Sequence, residues 1–156
     1  VSLPENKRNL WKGLLAGVIA GLVATAAKTA AEKLYPPRTH GEPEPPEVLA
    51  ERLAGHPLHG AGLAAASEAI HWGFGAFAGG AYGALAEFFP AATAKEGATF
   101  GLALMTLTHE GALPAMGLAA DVDEQTPREH TSEAATHVIY GVVAERVRSF
   151  VRGLLR

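Results

Sequence analysis

The sequence predicts an all-α protein: a polytopic membrane bundle of four transmembrane helices in a single domain over residues 1–156, with a short amphipathic helix in its first outer loop. Three observations predict it. Mean hydropathy is only +0.11, but the 19% of charged residues collect in short segments and leave long apolar runs between them. Glycines recur at intervals of four along three of those runs. The basic residues fall on alternate connections. The formal charge of -3 argues against a nucleic-acid partner, which requires clustered Lys and Arg. The absence of cysteine excludes disulfides, Fe–S clusters and thiolate metal sites.

The first expected span covers about 10–31. From Gly13 to Ala27 it carries no charge, and it reaches the ~20 residues a bilayer core requires if Lys28 snorkels to the outer interface. Lys7, Arg8 and Lys12 ahead of this run, with Ala24-Thr25-Ala26 behind, also have the form of a secretory signal. Its retention in the chain favours a membrane helix. The second span is expected over about 63–89 and the third over about 97–118, where Pro114 should bend or end the helix. The fourth, about 133–151, is the shortest, uncharged only from Ala134 to Ala144. A soluble bundle would need amphipathic helices, whereas three of these segments are apolar on all faces.

Two outer loops are expected, 32–62 and 119–132. In the first, Glu42-Pro43-Glu44-Pro45-Pro46 reads as extended chain. A short helix should follow to Ala54, with proline at its start and Gly55 at its stop. Both outer loops are acidic overall, while Lys7, Arg8, Lys12, Lys95, Arg146, Arg148, Arg152 and Arg156 flank the other ends of the spans. Basic flanks stay cytoplasmic, so four spans place both termini inside. Gly13, Gly17 and Gly21, then Gly75, Gly79 and Gly83, then Gly97 and Gly101 carve grooves that let helices approach closely. Those faces could pack within the chain or against a second copy or another subunit.

The ionisable residues within the spans form the candidate site. Glu68, His71, His109, Glu110, Glu133 and His137 fall in the outer halves, and Lys28 ends the first helix at the same level. At 1.5 Å per residue, the three histidines should lie within about 10 Å of one another in depth. Glu68 and His71 share a helix face, as do Glu133 and His137. His71, His109 and His137 are candidate metal ligands, with Glu68, Glu110 and Glu133 as ligands or as supports for the imidazoles. Imidazole with carboxylate suits Zn, Cu or Fe, and two axial histidines could hold haem. The same groups could relay or sense protons, or bond across helices simply to satisfy one another. A Lys28–Glu68 ion pair would be of that last kind. Trp72 is expected at an interface or in packing. His40, His56, His59 and His130 are expected in solvated loops, with His56 and His59 spaced to hold a surface metal weakly. No P-loop, Rossmann or Gly-x-Ser-x-Gly pattern is present, and the second Glu-x-x-His of a di-iron site is missing.

The stretches GLLAGVIAGLVATAAKTAAEKLYPPR, HWGFGAFAGGAYGALAEFFP, THEGALPAMGL and SEAATHVIYG carry a resemblance. Lys28, Pro36-Pro37-Arg38, His71, Phe89-Pro90, His109, Pro114, Met116-Gly117-Leu118, Ser132-Glu133 and His137 stand in the order of the pattern. They resemble the YagU-like family of bacterial inner-membrane proteins. The resemblance implies a polytopic inner-membrane protein with a loose link to survival in acid, and no reaction, ligand or catalytic residue. This chain departs from it in a short Glu/Pro-rich first outer loop. The leading expectation is a non-enzymatic membrane protein whose outer-half His/Glu/Lys layer senses or handles protons or binds a metal. An accessory or assembly subunit of a larger membrane complex is the alternative, and a haem- or metal-carrying redox protein the third.

Overall fold

The computed structural model describes residues 8–155, and all regular structure among them is helical, with no strands. Lys7 and Arg156, two of the basic flanking residues, lie outside the described residues. Helix α1 (Leu10–Leu34) starts where Asn9 Oδ1 accepts a hydrogen bond from Lys12 N at 3.0 Å, and it stops at Tyr35 ahead of Pro36-Pro37. Helix α2 (Pro45–Ala54) opens on proline, with Glu44 N donating to Glu47 Oε2 at 3.1 Å. It closes on Gly55 at φ 73°, as the sequence suggests. Helix α3 runs Gly60–Phe88. A 3₁₀ segment from Pro90 then leads to a left-handed corner at Lys95 (φ 50°), Glu96 (φ 56°) and Gly97 (φ 87°).

The third expected span is interrupted. Helix α4 (Ala98–Leu107) passes into a π turn, Thr108–Ala112, and then the short α5, Leu113–Ala115. Pro114 explains the change of register. It has no N–H to donate, and its ring presses on the carbonyl four residues back. In the wider turn Leu113 N donates to Thr108 O, and the His109 carbonyl is taken up by Gln125 Nε2 at 3.3 Å.

The fourth helix is longer than expected: α6 covers Pro127–Leu154, not 133–151. Thr126 Oγ1 accepts from Glu129 N at 3.2 Å and Pro127 follows, a start signal obscured by the charges around it. His130 is therefore helical and not in a loop. Its Nε2 donates to Val122 O at 3.2 Å.

Helices α1 and α3 run antiparallel with their glycine grooves facing each other. A Cβ on Gly17 or Gly79 would strike the backbone of the opposite helix. Gly97 and Gly101 meet Gly141 and the His137 carbonyl of α6 in the same way. These grooves are thus taken up within the chain. Around the bundle α3 packs on α1, α1 on α6, and α6 on α4. Helices α3 and α4 meet through Tyr82 stacked on Phe100, with centroids 4.2 Å apart, and are not packed along their length.

The interior is built largely of small and charged residues, and many large apolar side chains face outward. Ala16, Ala20, Ala24, Ala78, Tyr82, Tyr140 and Ala144 are buried, as are Lys28, Glu87, Glu133, His137, Arg148 and Arg152. Each long helical segment turns a large apolar side chain outward: Trp11 (75% exposed), Phe77 (71%), Leu107 (70%) and Phe150 (68%). By length and composition one helix, Leu10–Leu34, is apolar enough to cross a membrane. Core helices of soluble proteins and signal sequences share those properties.

One end of the bundle is closed by buried ion pairs that the sequence reading did not single out. Glu87 accepts from Asn9 N at 2.7 Å and pairs with Arg152, whose Nη2 lies 2.6 Å from Oε1. Beside it, Tyr82 donates to Glu145 Oε2 at 2.7 Å, and Arg148 grips both oxygens of Glu145.

Candidate functional site

At the opposite end the chain encloses a cavity of about 420 Å³. Helices α1 and α6 form its back, α3 and α4–α5 its sides, and Pro45, Pro46 and Leu49 of α2 lie over its outer end. Arg52 of α2 holds this cover through bonds to the Met116 and Gly117 carbonyls.

Glu133 is the hub, its side chain 1% exposed. Lys28 Nζ lies 3.4 Å from Oε2, while Arg38 Nη1 and His109 Nδ1 lie 3.5 and 3.4 Å from Oε1. His137 Nδ1 donates to the Glu133 carbonyl at 2.8 Å, the reach of one helical turn. A carbonyl can only accept, so Nδ1 carries the proton and Nε2 keeps its lone pair. The His109 and His137 rings meet edge to face with centroids 5.0 Å apart. One donor atom each from His109, Glu133 and His137 lies within 4.8 Å of the others. The π turn brings His109 to this point from α4, and residues of α6 supply the other two.

Around the hub Lys28 also pairs with Glu32, and Arg38 with Glu44 at 2.8 Å and Glu129 at 2.9 Å. Four carboxylates (Glu32, Glu44, Glu129, Glu133) thus face two cations, and with neutral imidazoles the network carries two excess negative charges. Glu44 stays half exposed, so the uncompensated charge is costly chiefly at buried Glu133. At the network's edge, desolvation raises the Glu44 carboxyl above its usual range, and Arg38 pulls it back.

The sequence-derived set is only partly assembled. His71 lines the same cavity but stands apart from the triad, with Nε2 3.1 Å from Thr29 Oγ1. Glu68 does not pair with Lys28. It accepts from Trp72 Nε1 at 2.7 Å on the exposed side of α3, and Lys28 faces Glu32 and Glu133 instead. Glu110 turns outward and lies 3.6 Å from His130 Nδ1. Arg38, Glu32 and Glu129 belong to the site without having been singled out as site residues, although Arg38 stands in the family-like pattern. The spacing Glu129, Glu133, His137 was the available signal for Glu129, hidden by the assumption that the helix begins at 133.

A family model described as a protein of unknown function, DUF1440, matches residues 22–146. The chain belongs to the DUF1440 family. The match spans Lys28, Arg38, His71, His109, Glu133 and His137, so the whole candidate site lies inside the DUF1440 region. DUF1440 is the family that includes YagU, which agrees with the resemblance at family level. No curated protein and no solved structure matches the chain.

Proposed function

We propose that this DUF1440 protein is a four-span membrane protein, with both termini in the cytoplasm, that holds a transition-metal ion at His109, Glu133 and His137. The observation that carries the metal reading is the convergence of these three donors at a cavity wall, with donor atoms within 4.8 Å of one another. Two imidazoles and a carboxylate suit Zn²⁺, Fe²⁺ or Cu²⁺ and leave coordination positions open toward the cavity. His137 is already in the orientation of a metal ligand, its Nδ1–H given to a backbone carbonyl. Lys28 has Glu32 as a second partner, so it can release Glu133 Oε2 to a metal without losing its counter-charge. A divalent ion would cancel the two excess negative charges of the network.

The membrane setting is supported by the inverted distribution of side chains. Carboxylates and guanidinium groups sit inside, while Leu, Ile, Val and Trp face outward from α1 and Phe and Leu from α3, an arrangement water penalises and lipid favours. The bacterial inner membrane follows from the family resemblance, and the orientation from the basic flanks.

Metal content of the detergent-purified protein, alongside His109→Ala and His137→Ala, tests the site. About one metal per chain, lost in both variants, is expected. A metal-free protein that also fails to take up added Zn²⁺ overturns the metal reading. Release of the chain from membranes by alkaline carbonate overturns the membrane setting.

A second reading, proton handling, rests on buried Glu133 with the His109 and His137 imidazoles within 3.5 Å of its carboxylate, Arg38 acting only as a fixed positive charge beside it. It predicts a pH-dependent response that disappears in Glu133→Gln and persists after metal is stripped.

A further inference from the structure

The cavity extends well beyond the three donors, and its remaining walls have a chemistry of their own. We infer that it binds an amphipathic cation, an alkyl chain bearing an ammonium or similar head, which enters sideways between α3 and α4. This rests on the membrane setting proposed above and not on the metal.

Size and composition come first. A volume of about 420 Å³ falls among small-molecule pockets, which are mostly apolar with a few placed polar groups. Ile70 and Phe74 of α3 face Leu104, Leu113 and Met116 of α4–α5 across it. The mouth follows from the packing. Helices α1 and α6 close the back and α2 covers the outer end, whereas α3 and α4 are not packed against each other at this level. An entrance between two lipid-facing helices admits molecules already dissolved in the bilayer, which selects for an apolar tail.

Charge selects the head. Glu32, Glu44, Glu68 and Glu133 line the cavity with Lys28, and Arg38, which pairs with Glu44 and Glu133, also holds Glu129, so five carboxylates stand against two cations. Lys28 is itself engaged by Glu32 and Glu133. Bound metal would add two positive charges and still leave the lining negative. An anionic head would be repelled in either state, and a neutral one would leave the imbalance untouched. Glu68 is an exposed member of these lining carboxylates, and it is held by the indole N–H of Trp72.

The two tryptophans make the test direct. Trp11 sits at the far end of α1, so Trp11→Phe leaves Trp72, hydrogen-bonded to the lining residue Glu68, as the sole reporter. The protein is placed in phosphatidylcholine nanodiscs and titrated with dodecylpyridinium, an amphipathic cation that quenches indole fluorescence. Saturable quenching is expected, displaced by dodecyltrimethylammonium and not by dodecanoate. Glu68→Gln should weaken it about fivefold. Ser67→Phe and Ala112→Phe fill the cavity from opposite walls, and each should weaken it about tenfold or more. Two plugs guard against one of them simply failing to fold. Quenching that rises linearly without saturation and is unchanged in the plugs means partition into lipid, and overturns the inference. Equal displacement by dodecanoate overturns the choice of charge. The same titration after chelation separates the proposals: saturable binding to metal-free protein sustains this inference if the metal reading fails, and a metal-loaded protein without saturable binding refutes this inference alone. Release by alkaline carbonate removes the membrane setting beneath both.

Discussion

Replacing Gly79 by alanine probes what holds α1 against α3. The added methyl would lie 2.7 Å from Gly21 N and closer still to Gly17 O and the Gly21 Cα. All of these are backbone atoms, so no side chain can swing aside. The helices must separate over a seam in which Gly13, Gly17 and Gly21 each meet the opposing backbone. Overpacking of this kind costs about 1–3 kcal/mol, and even a ~0.5–1 Å gap forfeits a quarter to a half of each van der Waals contact. Against this stands the helix-propensity gain of alanine over glycine, about 1 kcal/mol. The difference is about 0–2 kcal/mol, and the upper part of that range is expected for Gly79→Ala because three backbone atoms are struck at once. Gly73 lies on the same helix with nothing within 4 Å of its would-be Cβ, so Gly73→Ala should stabilise by about 0.5–1 kcal/mol. Reversible unfolding in mixed micelles with increasing dodecyl sulfate measures both. If the two variants shift stability in the same direction, close backbone approach is not what holds this pair.

Removing the Arg152 guanidinium (Arg152→Ala) takes from buried Glu87 the cation that grips both its oxygens, leaving the Asn9 amide and the more distant charge of Arg148. It should cost about 3–5 kcal/mol. A double change with Glu87→Gln should recover part of that loss in the same unfolding assay. Tyr140→Phe deletes the 2.8 Å bond to the Gly75 carbonyl and should cost about 1 kcal/mol. Deleting Gly111 removes the extra residue of the π turn and rotates His109 by ~100° relative to α5, so metal affinity should fall at least tenfold while helix content by circular dichroism is kept.

Much of this architecture is written in local signals. Proline and glycine mark α2, and glycines at intervals of four mark the seams. What escaped was of two kinds. The start of α6 was readable from Thr126-Pro127 and Glu129, but charged residues around it suggested a loop. Other features are not local at all. Lys28 could have faced Glu68 or Glu133 with equal plausibility, because neighbour order around a bundle depends on long-range packing. Glu87 and Arg152 are similarly separated by 65 positions, and nothing near either names the other. The π turn depends on how the helix relieves Pro114, and the sequence permits a bend, a stop or a widened turn. The histidines illustrate the limit: depth placed all three at one level, but rotation about each helix decided that His109 and His137 meet and His71 stands apart.

The last helix also sets the order in which the protein can be assembled. Helices α1 and α3 possess everything needed to join as soon as both are made, since their seam is backbone against backbone. That early pair carries Lys28, Tyr82 and Glu87 at its inner faces, and the groups described against them at Glu133, Glu145 and Arg152 are synthesised last. Until α6 arrives, a nascent chain holds charged side chains with much of their compensation missing at both ends of the bundle. A chain cut short before Pro127 would leave that deficit uncompensated. The closing segment is thus both a structural strut and the checkpoint at which an unfinished molecule becomes a finished one.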